Sequence, residues 1–113
     1  MPRIVRVQDL IVPNGTNVSN AIDKSQFGDA ETLTIFAPAT LDAGTNTLEI
    51  EPTETGTNFA TMQSAGVDIN IAAGKAVVLT EIAWKQIRVK MGGNQTAQRT
   101  FPVNKQFASR GGA

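Results

Sequence analysis

The chain of 113 residues contains no cysteine, no histidine and no tyrosine, and it has a single tryptophan. Without cysteine and histidine, disulfide bonds, thiol and imidazole catalysis and the usual zinc ligands are excluded. No apolar run approaches the roughly 20 residues that a membrane-spanning helix needs, and the N-terminal residues lack the apolar stretch of a signal peptide. We therefore expect a protein without a membrane segment or signal peptide, which owes its stability to packing.

The remaining composition is that of a small globular protein, with 41% apolar and 18% charged residues. Its length suits one domain, which we expect to span residues 1–113 with a flexible N-terminal arm and a C-terminal tail. The formal net charge is zero, but residues 1–60 carry three basic and eight acidic residues (−5), while residues 61–113 carry seven and two (+5). This separation raises the hypothesis of a surface with oppositely charged regions.

Short stretches of alternating apolar and polar residues recur between turn-forming Gly, Pro and Asn residues. In residues 31–37, Leu33 and Ile35 alternate with the outward-facing Phe36, and in residues 86–91 apolar side chains alternate with basic ones. A period of two is typical of strands with one buried face. The pattern predicts an all-β protein with at most one short helix, most simply a single jelly-roll-like β-sandwich of about eight short strands.

Three groups of short motifs follow one another along these strands. They are SNAID (19–23) with LTIFAP (33–38), NTLEIEP (46–52) with GTNFATM (56–62), and WKQIRVK (84–90) with AQRTF (97–101). In this order they resemble the small β-sandwich structural proteins of tailed bacteriophages, which include capsid decoration, or cement, proteins. The similarity covers roughly residues 17–107.

The resemblance implies a non-enzymatic virion structural protein; proteins of this type belong to the outer capsid, to head fibres or to tails, and we take the capsid decoration role as the main hypothesis. On this hypothesis the chain is made in the host cytoplasm and binds the major capsid protein on the outer surface of the shell, as a homo-oligomeric dimer or trimer. The alternative is a carbohydrate-binding sandwich that attaches to glycans, with Trp84 as a stacking platform. Because the loop after Pro52 has little aromatic character, and a lone Trp beside a strand is more often part of the core, we expect Trp84 to be buried.

The candidate protein interface is a set of basic residues in the second half of the chain. Arg88 and Lys90 share one face of a predicted strand, and Lys85 and Arg99 are near them in the sequence. Nucleic acid is a poor partner for this set, since the charge is balanced overall and few aromatic residues are interspersed. We predict that the flanking segments 2–8 and 106–113 contribute to the same protein contacts.

Catalytic and metal sites are not predicted. Glu49 and Glu51 would share a strand face, and a pair of carboxylates is what glycoside hydrolysis uses, but no feature of the sequence favours that role. We interpret them as a solvent-exposed strand face. Asp42 offers an oxygen ligand in a segment that does not have the spacing of a calcium loop, and a turn explains it more simply. We expect no catalytic residue, no cofactor and no bound metal.

Overall fold

Twelve short strands and one helical turn account for the regular structure of the computed structural model, which describes residues 3–28, 30–80 and 82–107. The strands are β1 (Arg3–Arg6), β2 (Leu10–Val12), β3 (Ile22–Asp23), β4 (Thr32–Phe36), β5 (Thr47–Glu51), β6 (Ala60–Thr61), β7 (Gln63–Ser64), β8 (Val67–Asp68), β9 (Ala76–Leu79), β10 (Gln86–Lys90), β11 (Arg99–Phe101) and β12 (Val103–Phe107), and the helix is α1 (Lys24–Phe27). The prediction of an all-β protein with at most one short helix is confirmed within these ranges.

Two antiparallel four-stranded sheets form the main layers, in the orders β1-β12-β4-β9 and β3-β10-β5-β6. Two further pairs, β2 with β11 and β7 with β8, complete the arrangement. The result is sandwich-like, as predicted, although the jelly-roll topology remains a prediction. The strands of the described residues outnumber the eight expected because several pairings involve only two residues.

The two main sheets face each other across a single cluster of buried apolar side chains. Leu33 and Ile35 enter it from the first sheet, and Ile87 and Val89 enter it from the second. All four are fully buried, because the alternation of side chains along each strand places every second residue on the inner face. The predicted inward and outward faces of these strands are thus confirmed.

The N-terminal segment takes part in the first sheet. The sequence predicts a flexible arm over residues 2–8, whereas the structure pairs Arg3–Arg6 with β12, from Arg3 opposite Phe107 to Arg6 opposite Asn104. The amide of Val7 extends this pairing by donating to the carbonyl of Val103 over 2.9 Å. Pro2 and residues 108–113 of the predicted tail lie outside the described residues.

The helical turn α1 supplies one of the largest core side chains. Asp23 caps it, because its carboxylate accepts a hydrogen bond from the Ser25 amide over 3.0 Å. Phe27, at its end, is fully buried and meets Trp84 edge-on, with 5.3 Å between the ring centroids. The turn thereby adds an aromatic side chain to the core beside Trp84.

Candidate functional site

Arg88 projects from the outer face of the second sheet, but its charge is already engaged. Its Nε donates to Glu49 Oε1, directly across the β10–β5 pair, over 2.8 Å. The guanidinium also lies 3.9 Å from the centroid of the Phe59 ring, which is a cation–π contact. These contacts give Arg88 a structural role in joining β10, β5 and the loop before β6.

Arg99 belongs to a different part of the fold and is also paired. It lies in β11, where its guanidinium bonds Asp42 over 2.5 Å and its Nε donates to Gln95 Oε1 over 3.2 Å. Thr96 donates to the same carboxylate through its amide and its hydroxyl. Arg99 and, to a lesser extent, Thr96 hold the pKa of Asp42 below its ordinary value of 3.8. The cluster ties the loop around Asp42 to the segment before β11.

Lys85 and Lys90 are the two predicted interface residues that form no ion pair within the described part of the chain. Lys85 is exposed just before β10, and Lys90 is half-buried at the end of that strand, opposite Thr47. The four basic residues therefore do not form one strip: Arg88 and Lys90 share a face of β10, and Arg99 lies in another sheet.

Glu51 is buried, in contrast to the solvent-exposed strand face interpreted from the sequence. It is only 2% exposed, and its carboxylate accepts hydrogen bonds from the amide and hydroxyl of Thr53 and from the amide of Asn58, at 2.7–2.9 Å. A β carbon at Gly56 would lie 2.5 Å from Glu51 Oε1, so a larger residue at this position would displace the hydrogen-bonded carboxylate. We call residues 51–58 the Glu51 loop.

Hydrogen bonds to the charged carboxylate, first from Thr53 and then from Asn58, hold the pKa of Glu51 below its ordinary value of 4.5. A carboxyl group whose folded pKa is depressed stabilises the fold above its unfolded pKa, and this contribution disappears as the pH falls through the folded pKa. Replacing Glu51 with glutamine should therefore lower the melting temperature at pH 7, and the difference from the parent chain should shrink below pH 4.5. Thermal unfolding of both chains between pH 7 and pH 3 checks this; a gap independent of pH would contradict it.

Trp84 is buried, as predicted, with 6% of its surface exposed. Its indole Nε1 is also buried and has no hydrogen-bond partner among the described residues. A buried donor without an acceptor is uncommon, because it loses its bond to water and gains none in return. Trp84 therefore cannot serve as an exposed stacking platform, and its Nε1 is a buried donor that a ligand could satisfy.

The outer face of the first sheet carries most of the large apolar side chains that are exposed in the described ranges. Of the four large apolar side chains that the described residues expose, three lie on this face: Ile4 in β1 (64% exposed), Phe36 in β4 (39%) and Val78 in β9 (59%). The register confirms that they share it, because Ile4 lies opposite Gln106, Gln106 opposite Thr32, and Thr34 opposite Val78. We call this surface the Phe36 face.

The Phe36 face is nearly free of charge. Its other members are Arg6, Thr32, Thr34, Ala76, Asn104 and Gln106. Arg6, at the edge strand, is paired with Asp9 over 2.8 Å. Neighbouring strands are about 4.8 Å apart, so the face extends roughly 15 Å across four strands. The outer face of the second sheet is different, since it carries Glu49, Arg88 and Lys90.

Grouped carboxylates or a long apolar helix in the described ranges would indicate another kind of site. Within them, no three carboxylate, cysteine or histidine residues are grouped so that they could hold a metal ion. No helix in those ranges is long and apolar enough to cross a membrane. Comparison with protein-family models, with curated proteins and with solved structures finds no match to this chain.

Proposed function

We propose that the chain is a non-catalytic structural subunit of a virion that binds the outer surface of a capsid shell and stabilises it. The observation that carries the proposal is the Phe36 face, a sheet surface with Arg6 as its one charged member, on which three large apolar side chains are exposed. The motif resemblance to phage decoration proteins supplies the identity of the partner, the major capsid protein. Binding to the assembled shell would stabilise both by mass action.

The composition of the Phe36 face fits the centre of a protein–protein contact. Such centres are depleted in charged residues and enriched in aromatic and other apolar side chains. The Phe36 face is thus a better candidate contact surface for a protein partner than the four basic residues are. Two of those residues already form ion pairs within the chain, Arg88 with Glu49 and Arg99 with Asp42.

The carboxylates that could support an enzymatic activity are held by other groups. Glu49 pairs with Arg88, Asp42 with Arg99, and Glu51 with the amides of its own loop. All three accept hydrogen bonds, and the pKa of Asp42 and of Glu51 is lowered. A general acid needs the opposite shift. This supports a binding function over hydrolysis.

The carbohydrate-binding alternative loses its main support. It relied on Trp84 as a platform, and Trp84 is buried. Phe36 is the one aromatic side chain that is exposed in the described ranges, so no cluster of aromatic platforms is available there. We retain the capsid decoration hypothesis, with self-association as a dimer or trimer as part of it.

The proposal is tested by sedimenting the purified protein with capsids, lacking this subunit, of the phage that encodes it. The parent chain should bind saturably at a fixed ratio to the shell protein. The double variant Ile4→Ser/Phe36→Ser should bind about 30-fold or more weakly, as expected when central apolar contacts are removed from an interface. Val67→Ser is the matched control, because Val67 is equally exposed but lies on β8, outside the Phe36 face.

If the double variant binds capsids as tightly as the parent chain does, the contact lies on another surface. Absence of binding by the parent chain would overturn the decoration hypothesis itself. Sedimentation velocity of the free protein, run beside these measurements, reports whether it is a monomer, a dimer or a trimer. A monomer at the concentrations that saturate the shell would remove self-association from the proposal.

A further inference from the structure

Strand β9 forms an edge of the first sheet, and its second edge is unpaired in the described part of the chain. The amide of Ala37 donates to the carbonyl of Lys75 over 2.8 Å. The backbone groups of Lys75 therefore face β4. Since the bonding direction alternates along an antiparallel strand, the backbone groups of Val77 and Leu79 face β4. Those of Ala76 and Val78 therefore point to the open edge.

Three of the usual protections of an edge strand, a proline, a charged residue and a bulge, are missing from Ala76–Leu79 of β9. The pairing of this strand with β4 is continuous. Natural proteins normally protect an exposed edge with one of these devices, because an unprotected edge pairs with another chain. A free edge of this kind is where extended peptide segments add to a sheet.

A groove runs beside this edge. It has a volume of about 290 Å³ and lies between β9 on one side and the β7–β8 hairpin on the other. Its apolar lining includes Ile50, Met62, Ile69, Leu79 and Trp84, and the polar side chains that line it among the described residues, Gln63, Ser64 and Thr80, are uncharged. The volume is slightly below the range of about 300–1,000 Å³ typical of small-molecule pockets, and the groove is open, which suits a chain segment.

Trp84 links the groove to an unmet hydrogen bond. It is more than nine-tenths buried, it lines the groove, and its Nε1 has no acceptor among the described residues. Because Nε1 is covered in the free chain, an acceptor brought by a ligand reaches it only by displacing the side chains over it, and would then remove this penalty. Backbone carbonyls of an extended peptide are acceptors of this kind and recur regularly along the segment.

We propose that this groove is a binding site for an extended, uncharged peptide segment of a partner protein, which pairs with the edge of β9. The segment exchanges backbone hydrogen bonds with Ala76 and Val78, places alternate side chains on the apolar lining, and supplies an acceptor to Trp84. The lining excludes charged side chains, because burying an unpaired charge is costly. The inference rests on the proposed function only for the identity of the partner, which is the shell protein.

The test uses blocked hexapeptides and the isotope-labelled full chain. An acetylated and amidated peptide of alternating valine and threonine is titrated while nuclear magnetic resonance follows the amides of Ala76 and Val78 and the indole N–H of Trp84. Saturable shifts confined to the groove are expected. The same peptide with glutamate in place of valine should bind more weakly.

Two variants each remove one hydrogen bond of the complex. Val78→Pro deletes an amide that points away from β4, a position where an edge strand tolerates proline. Trp84→Phe keeps the ring and deletes the indole N–H. Each should raise the Kd of the peptide roughly three- to tenfold, the effect of one lost hydrogen bond. Val77→Pro is the contrasting control, because it breaks the pairing with β4 and should unfold the chain.

No saturable shift at millimolar peptide, shifts centred elsewhere, or an unchanged Kd in Trp84→Phe would overturn the site. If Val78→Pro fails to fold, the Kd of the peptide for Trp84→Phe and the location of the chemical-shift changes decide whether the peptide binds in the groove. The outcome is separable from that of the proposed function. If the chain binds the peptide but not capsids, the peptide site stands and the proposed binding to a shell is wrong. If the parent chain and Trp84→Phe bind capsids equally, binding to the shell stands and the groove is not the site of contact.

Discussion

Replacing Trp84 with alanine is expected to lower the free energy of unfolding by about 3–5 kcal/mol, the loss typical of large aromatic side chains removed from cores. Trp84 is 6% exposed and packs edge-on against Phe27 with 5.3 Å between ring centroids. Truncation deletes that contact and opens a cavity next to α1. Urea unfolding followed by far-ultraviolet circular dichroism measures the change without relying on tryptophan fluorescence.

Trp84→Phe separates packing from the unmet hydrogen bond. It keeps a ring against Phe27 and removes the buried Nε1 donor, which has no acceptor among the described residues. We expect it to cost much less than alanine, because a smaller cavity is offset by the loss of an unsatisfied polar group. Domains of this size are stable by about 5–15 kcal/mol in total, so the alanine variant approaches the limit of folding. A melting temperature near that of the parent chain for Trp84→Ala would show that the ring contributes little to the core.

The strands that carry most of the core could be predicted because their pattern is local. A period of two in β4 and β10 is enough to place Leu33, Ile35 and Ile87 inward and Phe36 outward, and the structure agrees. The Phe36 face needs more. It joins Ile4 to Val78 through the order β1-β12-β4-β9, in which no two neighbouring strands are consecutive in the chain. No single stretch of sequence contains that order.

The ion pairs of the predicted interface residues could not be predicted from the sequence for a related reason. Arg88 and Arg99 read as free basic residues, but their carboxylate partners, Glu49 and Asp42, lie 39 and 57 positions away in the chain. The burial of Glu51 had a weak local signal, since a Thr follows two residues later and a Gly five residues later in the same loop. Alternation favours an exposed carboxylate there, and the loop reverses this by supplying three donors.

Reversing the charge of Arg88 with glutamate is expected to destabilise the fold by about 1.5–3 kcal/mol. The Arg88–Glu49 side chains are 28% and 15% exposed, so the pair is worth more than the roughly 0.2–1 kcal/mol of an exposed one. The reversal also removes the cation–π contact with Phe59, worth about 0.5–1 kcal/mol, and places two carboxylates directly across the β10–β5 pair. Equilibrium unfolding in urea measures the loss.

A charge swap and a neighbouring variant complete this experiment. Arg88→Glu combined with Glu49→Arg should recover part of the stability, because an opposite pair is restored across the same two strands. Lys90→Glu is the matched control, since Lys90 lies two residues further on the same face and opposite Thr47, and its effect should stay within about 0.5 kcal/mol. Equal losses at positions 88 and 90 would show that the ion pair with Glu49 contributes nothing.

Arg88→Glu and Lys90→Glu differ in what they report when capsid binding is measured. Reduced capsid binding by Arg88→Glu would combine a loss of stability with any loss of contact, because Arg88 supports β5 and the Phe59 ring. Lys90→Glu changes the charge on that face without breaking an ion pair among the described residues. If this face docks on the shell through charge, Lys90→Glu should lower occupancy and make the remaining binding less sensitive to salt. If the Phe36 face alone makes the contact, Lys90→Glu should bind as the parent chain does at every salt concentration, while Ile4→Ser/Phe36→Ser should not.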